Sequence, residues 1–239
     1  MEKDLNELVE KLKSAAGANL KAVVLYGSAV AGDFHPKHSN LNILCLVDRA
    51  GASDLESLNR VAVWWARKGH PAPLVFTLDE LGRSADVFAI ELLDIKQHHR
   101  ILYGDDFLAS LEVPMALHGL QVEGELRAGW IRLREAILTA PRSRSALMSL
   151  MLVSVSSFVT LFRHALIVLG EQPPQGKRAI VDRIAALLGG NSAAFDTVLD
   201  VREGKQKESQ ADVTATLRGY LELVEFVADA VDRKLEGAG

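Results

Sequence analysis

The residues best placed to do chemistry form two short polar groups, each at the end of an apolar run. Gly27 and Ser28 follow one run, and Asn40 and Asn42 stand on either side of one leucine at the start of the next. Glycine has no side chain, so a glycine-serine turn lets backbone amides approach a phosphate closely. Side chains at positions i and i+2 of a strand project to one face. The pattern therefore predicts that polar groups gather at the ends of two strands.

The spacing of these residues resembles the signature of the nucleotidyltransferase superfamily. In that signature an apolar strand ends in Gly-Ser, and after a short connection a second strand opens with two acids separated by one apolar residue. The sequence departs from it at both acid positions, which Asn40 and Asn42 occupy. The segment 88–104 also resembles a block of bacterial nucleotidyltransferases. An all-helical tail behind the sheet is typical of the branch that modifies kanamycin and streptomycin.

This resemblance implies attack on the α-phosphate of a nucleoside triphosphate, with two magnesium ions neutralising charge on the phosphate oxygens. Family members hold the ions with the two acids and a third acid on the neighbouring strand. Here the pair Asn40 and Asn42 is neutral and attracts a hard, hydrated cation weakly. The expected third strand, residues 73–77, contains no acid. We therefore expect no metal site unless displaced carboxylates rescue it. The acids considered for that role are Asp33, Glu91, Asp94 and Asp48, the last of which lies some six residues, or roughly 20 Å, along the strand from Asn42.

The residues expected to contact a nucleotide are Gly27, Ser28, Lys37 and Ser39. The two residues of the turn act through backbone amides, whereas Lys37 in the connection can meet triphosphate oxygens; an exposed loop lysine is the alternative. Helical tails of the resembled family often provide a phosphate-contacting lysine. Lys177 and Arg178 open a helix in the tail, with a solvated helix end as the alternative.

The composition is that of an ordinary globular protein, with 49% apolar and 24% charged residues among 239. A net charge of -4 argues against an extended nucleic-acid surface. Cys45 is the only cysteine, so no intramolecular disulfide forms, and we interpret it as a buried thiol. The N-terminus lacks a basic-then-apolar signal, which makes the cytoplasm the expected location. The charge-free stretch 146–162 is short and serine-containing for a membrane span, so we expect a buried bundle helix.

Apolar periodicity predicts alternating helices and strands in the first part of the chain. The expected strands are residues 22–26, 41–47, 71–77 and 100–103. The expected helices are an amphipathic one that ends before Gly17, one from a capping box at Ser53–Glu56 to about Lys68, a short one from a second box at Thr77–Glu80, and a turn at 91–97.

Beyond about Pro114 the sequence contains no convincing strand, and helices are expected at 122–137, 145–169, 177–188 and 211–235. The predicted class is α/β in the α+β sense. A nucleotidyltransferase-like mixed-sheet head occupies residues 1–113, and an antiparallel helical bundle occupies residues 114–239. The ligand cleft is expected between them.

Three functions follow from this pattern. The neutral asparagine pair favours a catalytically degenerate protein, a pseudoenzyme that binds a nucleotide or a protein partner without metal-dependent transfer. The alternative is an active enzyme that transfers a nucleoside monophosphate to a small hydroxyl-bearing acceptor such as an aminoglycoside, using displaced carboxylates. The third is a pure interaction or scaffold protein that forms a homo-oligomer through its helical bundle.

Overall fold

The structure, a computed structural model, describes residues 1–30 and 40–237 of the chain. The chain divides into two compact units, Met1–Met115 and Ala116–Gly239. The first unit contains a four-stranded mixed sheet with helices, and in the described residues the second contains α-helices and a short 3₁₀ turn. The predicted α+β class is therefore confirmed.

The sheet of the first unit has the order β3-β2-β1-β4, in which β1 is antiparallel to both neighbours and β2 is parallel to β3. In chain order the elements are α1 (Glu2–Ala16), β1 (Leu20–Tyr26), β2 (Asn42–Val47), α2 (Ala52–Arg67), β3 (Leu74–Thr77), α3 (Leu78–Arg83), α4 (Ala89–Gln97) and β4 (His99–Gly104).

Both faces of β1 and β2 are buried, which explains why these strands appear as continuous apolar runs in the sequence. Val23 and Ile43 pack with the buried residues of α1 and α2. Val24 and Leu44, on the opposite face, pack with the buried residues of α3 and α4. Cys45 is fully buried in the first of these clusters. This confirms the predicted buried thiol, and burial raises its pKa to about 12.

Of the two predicted capping boxes, one is confirmed and one is wrong. The Thr77 hydroxyl accepts a hydrogen bond from the Glu80 N–H at 3.1 Å, and the Glu80 carboxylate accepts one from the Thr77 N–H at 2.8 Å. No such box begins at Ser53, because the N-cap of α2 is Gly51, two residues earlier. The Asp54 carboxylate instead accepts from the Gly51 N–H at 3.1 Å, so Ser53 lies inside the first turn.

The second unit consists of α5 (His118–Thr139), α6 (Arg144–Val168), α7 (Lys177–Leu188), α8 (Ala193–Arg202) and α9 (Val213–Glu236). The sequence did not predict α8 as a separate helix. It is only ten residues long and lies between turn-rich segments, so its apolar residues give a short periodic signal. Phe195 of α8 nevertheless stacks on Tyr220 of α9, with ring centroids 4.2 Å apart.

Within residues 1–30 and 40–237, α6 is the one helix long and apolar enough to cross a membrane. It contacts each of the other four helices of its unit. Its buried residues are Met148, Met151, Val155, Phe158, Val159, Leu161, Phe162, His164, Ala165 and Leu166. Burial within the bundle accounts for part of the charge-free sequence, since apolar residues such as Val153 are exposed on the same helix.

Two buried histidines join α5 to α6. His118 Nε2 and His164 Nδ1 lie 2.9 Å apart, and the residues are 2% and 1% exposed. One of these nitrogens donates and the other accepts, so the contact requires that the two rings are not both protonated. Burial, with a smaller contribution from His164, lowers the pKa of His118 to about 4.

We predict that this pair makes the unfolding free energy depend on pH. Between about pH 6.5 and about pH 4 the unfolded chain binds a proton at His118 that the folded chain does not. Stability is therefore complete above about pH 6.5 and falls as the pH is lowered, by on the order of 3 kcal/mol across the window.

Urea unfolding of the wild type and of His118→Asn, at about pH 7.5 and about pH 4.5, measures this effect. Asparagine offers His164 a polar neighbour but does not titrate, so the variant should lose less stability on acidification. Equal losses in the two proteins would contradict the assignment.

Candidate functional site

The Gly-Ser turn and the Asn-Leu-Asn segment meet at one end of the sheet. Tyr26, the last residue of β1, pairs with Asn42 of β2 on one side and with His99 of β4 on the other. Just beyond this row, the Gly27 N–H donates to the His98 carbonyl at 3.3 Å. We call Gly27, Ser28, Asn40 and Asn42 the strand-end site.

Gly27 is required at this site for two separate reasons. Its φ of +79° is a conformation that side chains other than glycine rarely adopt. A Cβ added there would also lie 3.0 Å from Nδ2 of Asn42, closer than ordinary packing allows. The glycine opens a 3₁₀ turn over Gly27–Ala29, closed by a 2.9 Å hydrogen bond from the Val30 N–H to the Gly27 carbonyl. The missing side chain thus leaves room for the asparagine amide.

The two asparagines differ in their exposure. Asn40 is exposed, Asn42 is half-buried, and Leu41 between them is buried. In the part of the chain that the structure describes, neither amide group has a hydrogen-bond partner, and neither does the hydroxyl of Ser28. Each amide offers two N–H donors and one oxygen acceptor. The site therefore presents neutral polar groups that can both donate and accept.

The other residues predicted to contact a nucleotide have different outcomes. Lys37 and Ser39 lie outside the described residues, and so does Asp33 as a rescuing acid. Arg178 at the start of α7 is bound by three acids of its own unit. Its guanidinium lies 2.7 Å from Asp200, 3.0 Å from Glu203 and 3.4 Å from Asp196. This network favours a structural role for Arg178.

Glu91 was one of the acids considered as replacements for the missing metal ligands. It interacts electrostatically with Tyr26, the residue before Gly27. It is exposed on α4, which packs on the sheet face that carries Tyr26. By strand alternation, Asn42 lies on this same face. Burial raises the pKa of the Tyr26 phenol, and the charge of Glu91 raises it further. Glu91 is thus close enough to Tyr26, the neighbour of Gly27, for its charge to act on the phenol.

The donor groups do not suit the pair of magnesium ions that the resemblance implies. Asn40 and Asn42 are neutral, and β3 carries no carboxylate. Among residues 1–30 and 40–237, no group of three or more His, Cys, Asp or Glu side chains could hold a metal ion. Of the rescuing acids, Glu91 and Asp94 both lie on α4, and neither belongs to such a group of described residues.

His70 is a site residue that sequence reasoning missed. Its Nδ1 accepts a hydrogen bond of 3.3 Å from the N–H of Leu41, between the two asparagines. The histidine lies in the turn between α2 and β3, 29 residues further along the chain. A single histidine in a turn forms no local pattern, so only the tertiary fold shows the contact.

Most of the chain has a fold similar to that of a solved adenyltransferase. The spectinomycin adenyltransferase from Enterococcus faecialis, crystallised with ATP and spectinomycin, is similar with a TM-score of 0.59 and 12% sequence identity. The match covers 93% of this chain and 99% of that one. At this identity the likeness shows the fold alone.

Two further solved structures match less well. A nucleotidyltransferase-like protein from Exiguobacterium sibiricum covers 94% of this chain and 74% of its own, at 11% identity and a TM-score of 0.34. A toxin-antitoxin protein solved with AMP-PNP covers 56% of this chain and 98% of its own, at 17% identity and a TM-score of 0.32. These scores are too low to support an inference. No protein-family model and no curated protein sequence matches the chain.

We predict that Gly27→Ala disrupts the strand-end site beyond its cost in stability. The positive φ alone should lower the unfolding free energy by on the order of 1 to 2 kcal/mol. The added methyl must in addition displace the Asn42 amide. The measurements are urea unfolding and the NMR shift of the Asn42 side-chain amide.

Gly17→Ala is the matched control, because Gly17 also has a positive φ but a Cβ there meets nothing within 4 Å. Both variants should be destabilised, but only Gly27→Ala should shift the Asn42 amide. An unchanged Asn42 amide in Gly27→Ala would contradict the geometry.

Proposed function

We propose that this chain, which has the nucleotidyltransferase-superfamily fold, binds a nucleoside triphosphate at the strand-end site without performing metal-dependent transfer. The observation that carries the proposal is the pair of neutral amides beside the glycine turn. Gly27 leaves room at the turn, and Asn40 and Asn42 have no protein partners in the described residues. The site thus keeps the features for phosphate approach but not those for metal binding.

Replacing two acids by two amides changes how a triphosphate can be held. Two aspartates would repel the phosphate oxygens, and cations between them must overcome that repulsion. An asparagine NH₂ group can instead donate hydrogen bonds to a phosphate oxygen directly. The Ser28 backbone amide adds a further donor, whereas the Gly27 N–H already donates to the His98 carbonyl. This electrostatic argument supports phosphate binding that is indifferent to magnesium.

The similar solved structure supports the choice of nucleotide for a test. The spectinomycin adenyltransferase was crystallised with ATP, and its fold matches this chain over nearly the whole length of both. ATP is therefore the first probe. The cytoplasm remains the predicted location, and a homo-oligomer formed through the helical bundle remains a prediction.

A second candidate function has one observation in its favour. Glu91 lies close enough to Tyr26 to raise the pKa of its phenol, on the sheet face that also carries Asn42. If Glu91 supplied a displaced carboxylate, the chain could transfer a nucleoside monophosphate from ATP to a small hydroxyl-bearing acceptor such as an aminoglycoside. We rank this function second because β3 and the two asparagines add no further charge.

ATP titration by calorimetry, with magnesium and with EDTA, separates these functions. We expect equal ATP affinities under the two conditions. Among the described residues, no group of carboxylates is placed to bind a cation that would bridge the protein to the nucleotide. In the double variant Asn40→Asp/Asn42→Asp, affinity in EDTA should fall through charge repulsion and should recover at least in part with magnesium. Absence of ATP binding to the wild type would favour a scaffold protein and end the proposal.

Replacing Glu91 by Gln tests the second candidate. Under the proposed function, no pyrophosphate is released from ATP in the presence of magnesium and spectinomycin, and ATP affinity in Glu91→Gln is unchanged or slightly higher. Glu56→Gln, another exposed acid of the first unit, is the charge-matched control. Pyrophosphate release that Glu91→Gln abolishes and Glu56→Gln retains would establish the second candidate instead.

A further inference from the structure

The backbone of the strand-end site is held by a side chain from outside the sheet. The Leu41 N–H donates to Nδ1 of His70 over 3.3 Å. A backbone N–H can only donate, so Nδ1 must be unprotonated in this contact. A neutral histidine with a free Nδ1 carries its proton on Nε2. The geometry therefore fixes both the charge and the tautomer of the ring.

The contact supplies a partner that the sheet does not. The β1–β2 ladder ends with the pair Tyr26 and Asn42, so Leu41 lies just beyond it. Leu41 is only 2% exposed. A buried N–H without an acceptor costs free energy comparable to a lost hydrogen bond. His70 removes that cost at the residue that joins the two asparagines.

Packing from α2 holds the imidazole in place. Gly69, with a φ of +88°, turns the chain back after α2 and leads directly into His70. The ring of Trp65 lies against it, with centroids 4.3 Å apart and planes tilted by 41°. Trp65 is fully buried in the same core cluster as Leu41. The tryptophan thus connects the hydrophobic core to the orientation of the histidine.

We propose that His70 is a positioning residue that holds the Asn40–Leu41–Asn42 segment in its ligand-binding geometry and releases it when the imidazole is protonated. Its effect on ligand affinity rests on the proposed function, whereas the backbone contact can be measured without any nucleotide. The residue touches no reacting atom and acts only through the Leu41 amide.

The surroundings of His70 set the direction of its pH dependence. Burial lowers the pKa of the ring, Asp4 of α1 opposes that effect, and Lys68 and the N-terminal amine add to it. Asp4 and Lys68 also form a salt bridge with each other, which reduces the net charge facing the ring. The contact is therefore complete above the ordinary histidine pKa of about 6.5 and is lost as the pH falls through the lowered value.

Hydrogen exchange and ¹⁵N NMR of the full chain without nucleotide test the contact. The expected ring spectrum shows an unprotonated Nδ1 and a protonated Nε2. After correction for intrinsic exchange, the Leu41 amide should lose about tenfold protection on acidification, the equivalent of one hydrogen bond. Leu44 is the internal reference because it pairs with strands on both sides. A protonated Nδ1 at neutral pH, or equal losses at Leu41 and Leu44, would overturn the proposal.

Two variants separate hydrogen bonding from packing. In His70→Asn the side-chain oxygen can accept from Leu41 but does not titrate, so Leu41 protection should persist and become independent of pH. In His70→Leu the ring is replaced by an apolar side chain without an acceptor, so protection should be low at every pH. If His70→Leu does not fold, the pH dependence of Leu41 protection in His70→Asn still tests the role of the imidazole. Wild-type pH dependence in His70→Asn would refute the role of the imidazole.

ATP titration of the same proteins then distinguishes the two proposals. If ATP affinity and Leu41 protection rise and fall together across the wild type, His70→Asn and His70→Leu, His70 positions the binding site. A wild type that protects Leu41 through His70 but binds no ATP would end the proposed function and leave the backbone contact established. ATP affinity that stays equal in all three proteins at every pH would show that His70 does not position the site.

Discussion

The antiparallel pairing of β1 with β2 is the constraint on which the candidate site depends. It places Tyr26 opposite Asn42, so the turn that follows one strand lies beside the start of the other. Both strands are buried on both faces, which fixes their register through packing as well as hydrogen bonds. The glycine at position 27 then becomes a steric requirement, since any side chain there would meet the Asn42 amide.

Charge at this strand end separates the proposed function from the reaction of the resembled enzymes. The resemblance places two acids where this chain has Asn40 and Asn42, and both of these side chains are neutral amides. The nearby carboxylate, Glu91, comes from a helix rather than a strand and affects Tyr26 more clearly than it does a cation site. A neutral edge beside an open glycine turn favours direct hydrogen bonding to phosphate over metal-bridged binding.

Local patterns were sufficient to predict the part of the site that lies on consecutive strands. The apolar runs located β1 and β2, and the polar residues at their ends predicted Gly27 and Asn42 as neighbours. The Thr77–Glu80 cap could also be predicted from the sequence, because both of its hydrogen bonds join residues three apart. The capping box predicted at Ser53 was wrong. The Asp54 carboxylate accepts from the Gly51 N–H instead, and α2 begins before Ser53.

Long-range contacts could not be predicted in this way. His70 meets Leu41 only because Gly69 turns the chain and Trp65 packs under the ring, and none of these features has a sequence period. The pair His118 and His164 likewise depends on how α5 and α6 pack. Each is a buried polar contact between distant segments, and such contacts follow from the tertiary fold rather than from propensity or spacing.

The most direct test of metal-free nucleotide binding observes the asparagine amides themselves. The chain contains six asparagines, at positions 6, 19, 40, 42, 59 and 191, so a spectrum of selectively ¹⁵N-labelled asparagine has few side-chain signals. The Asn40 and Asn42 signals are identified by replacing each residue in turn. On addition of ATP in EDTA, these two side-chain signals should shift while the other four stay in place. No shift of either signal at saturating ATP would contradict the account.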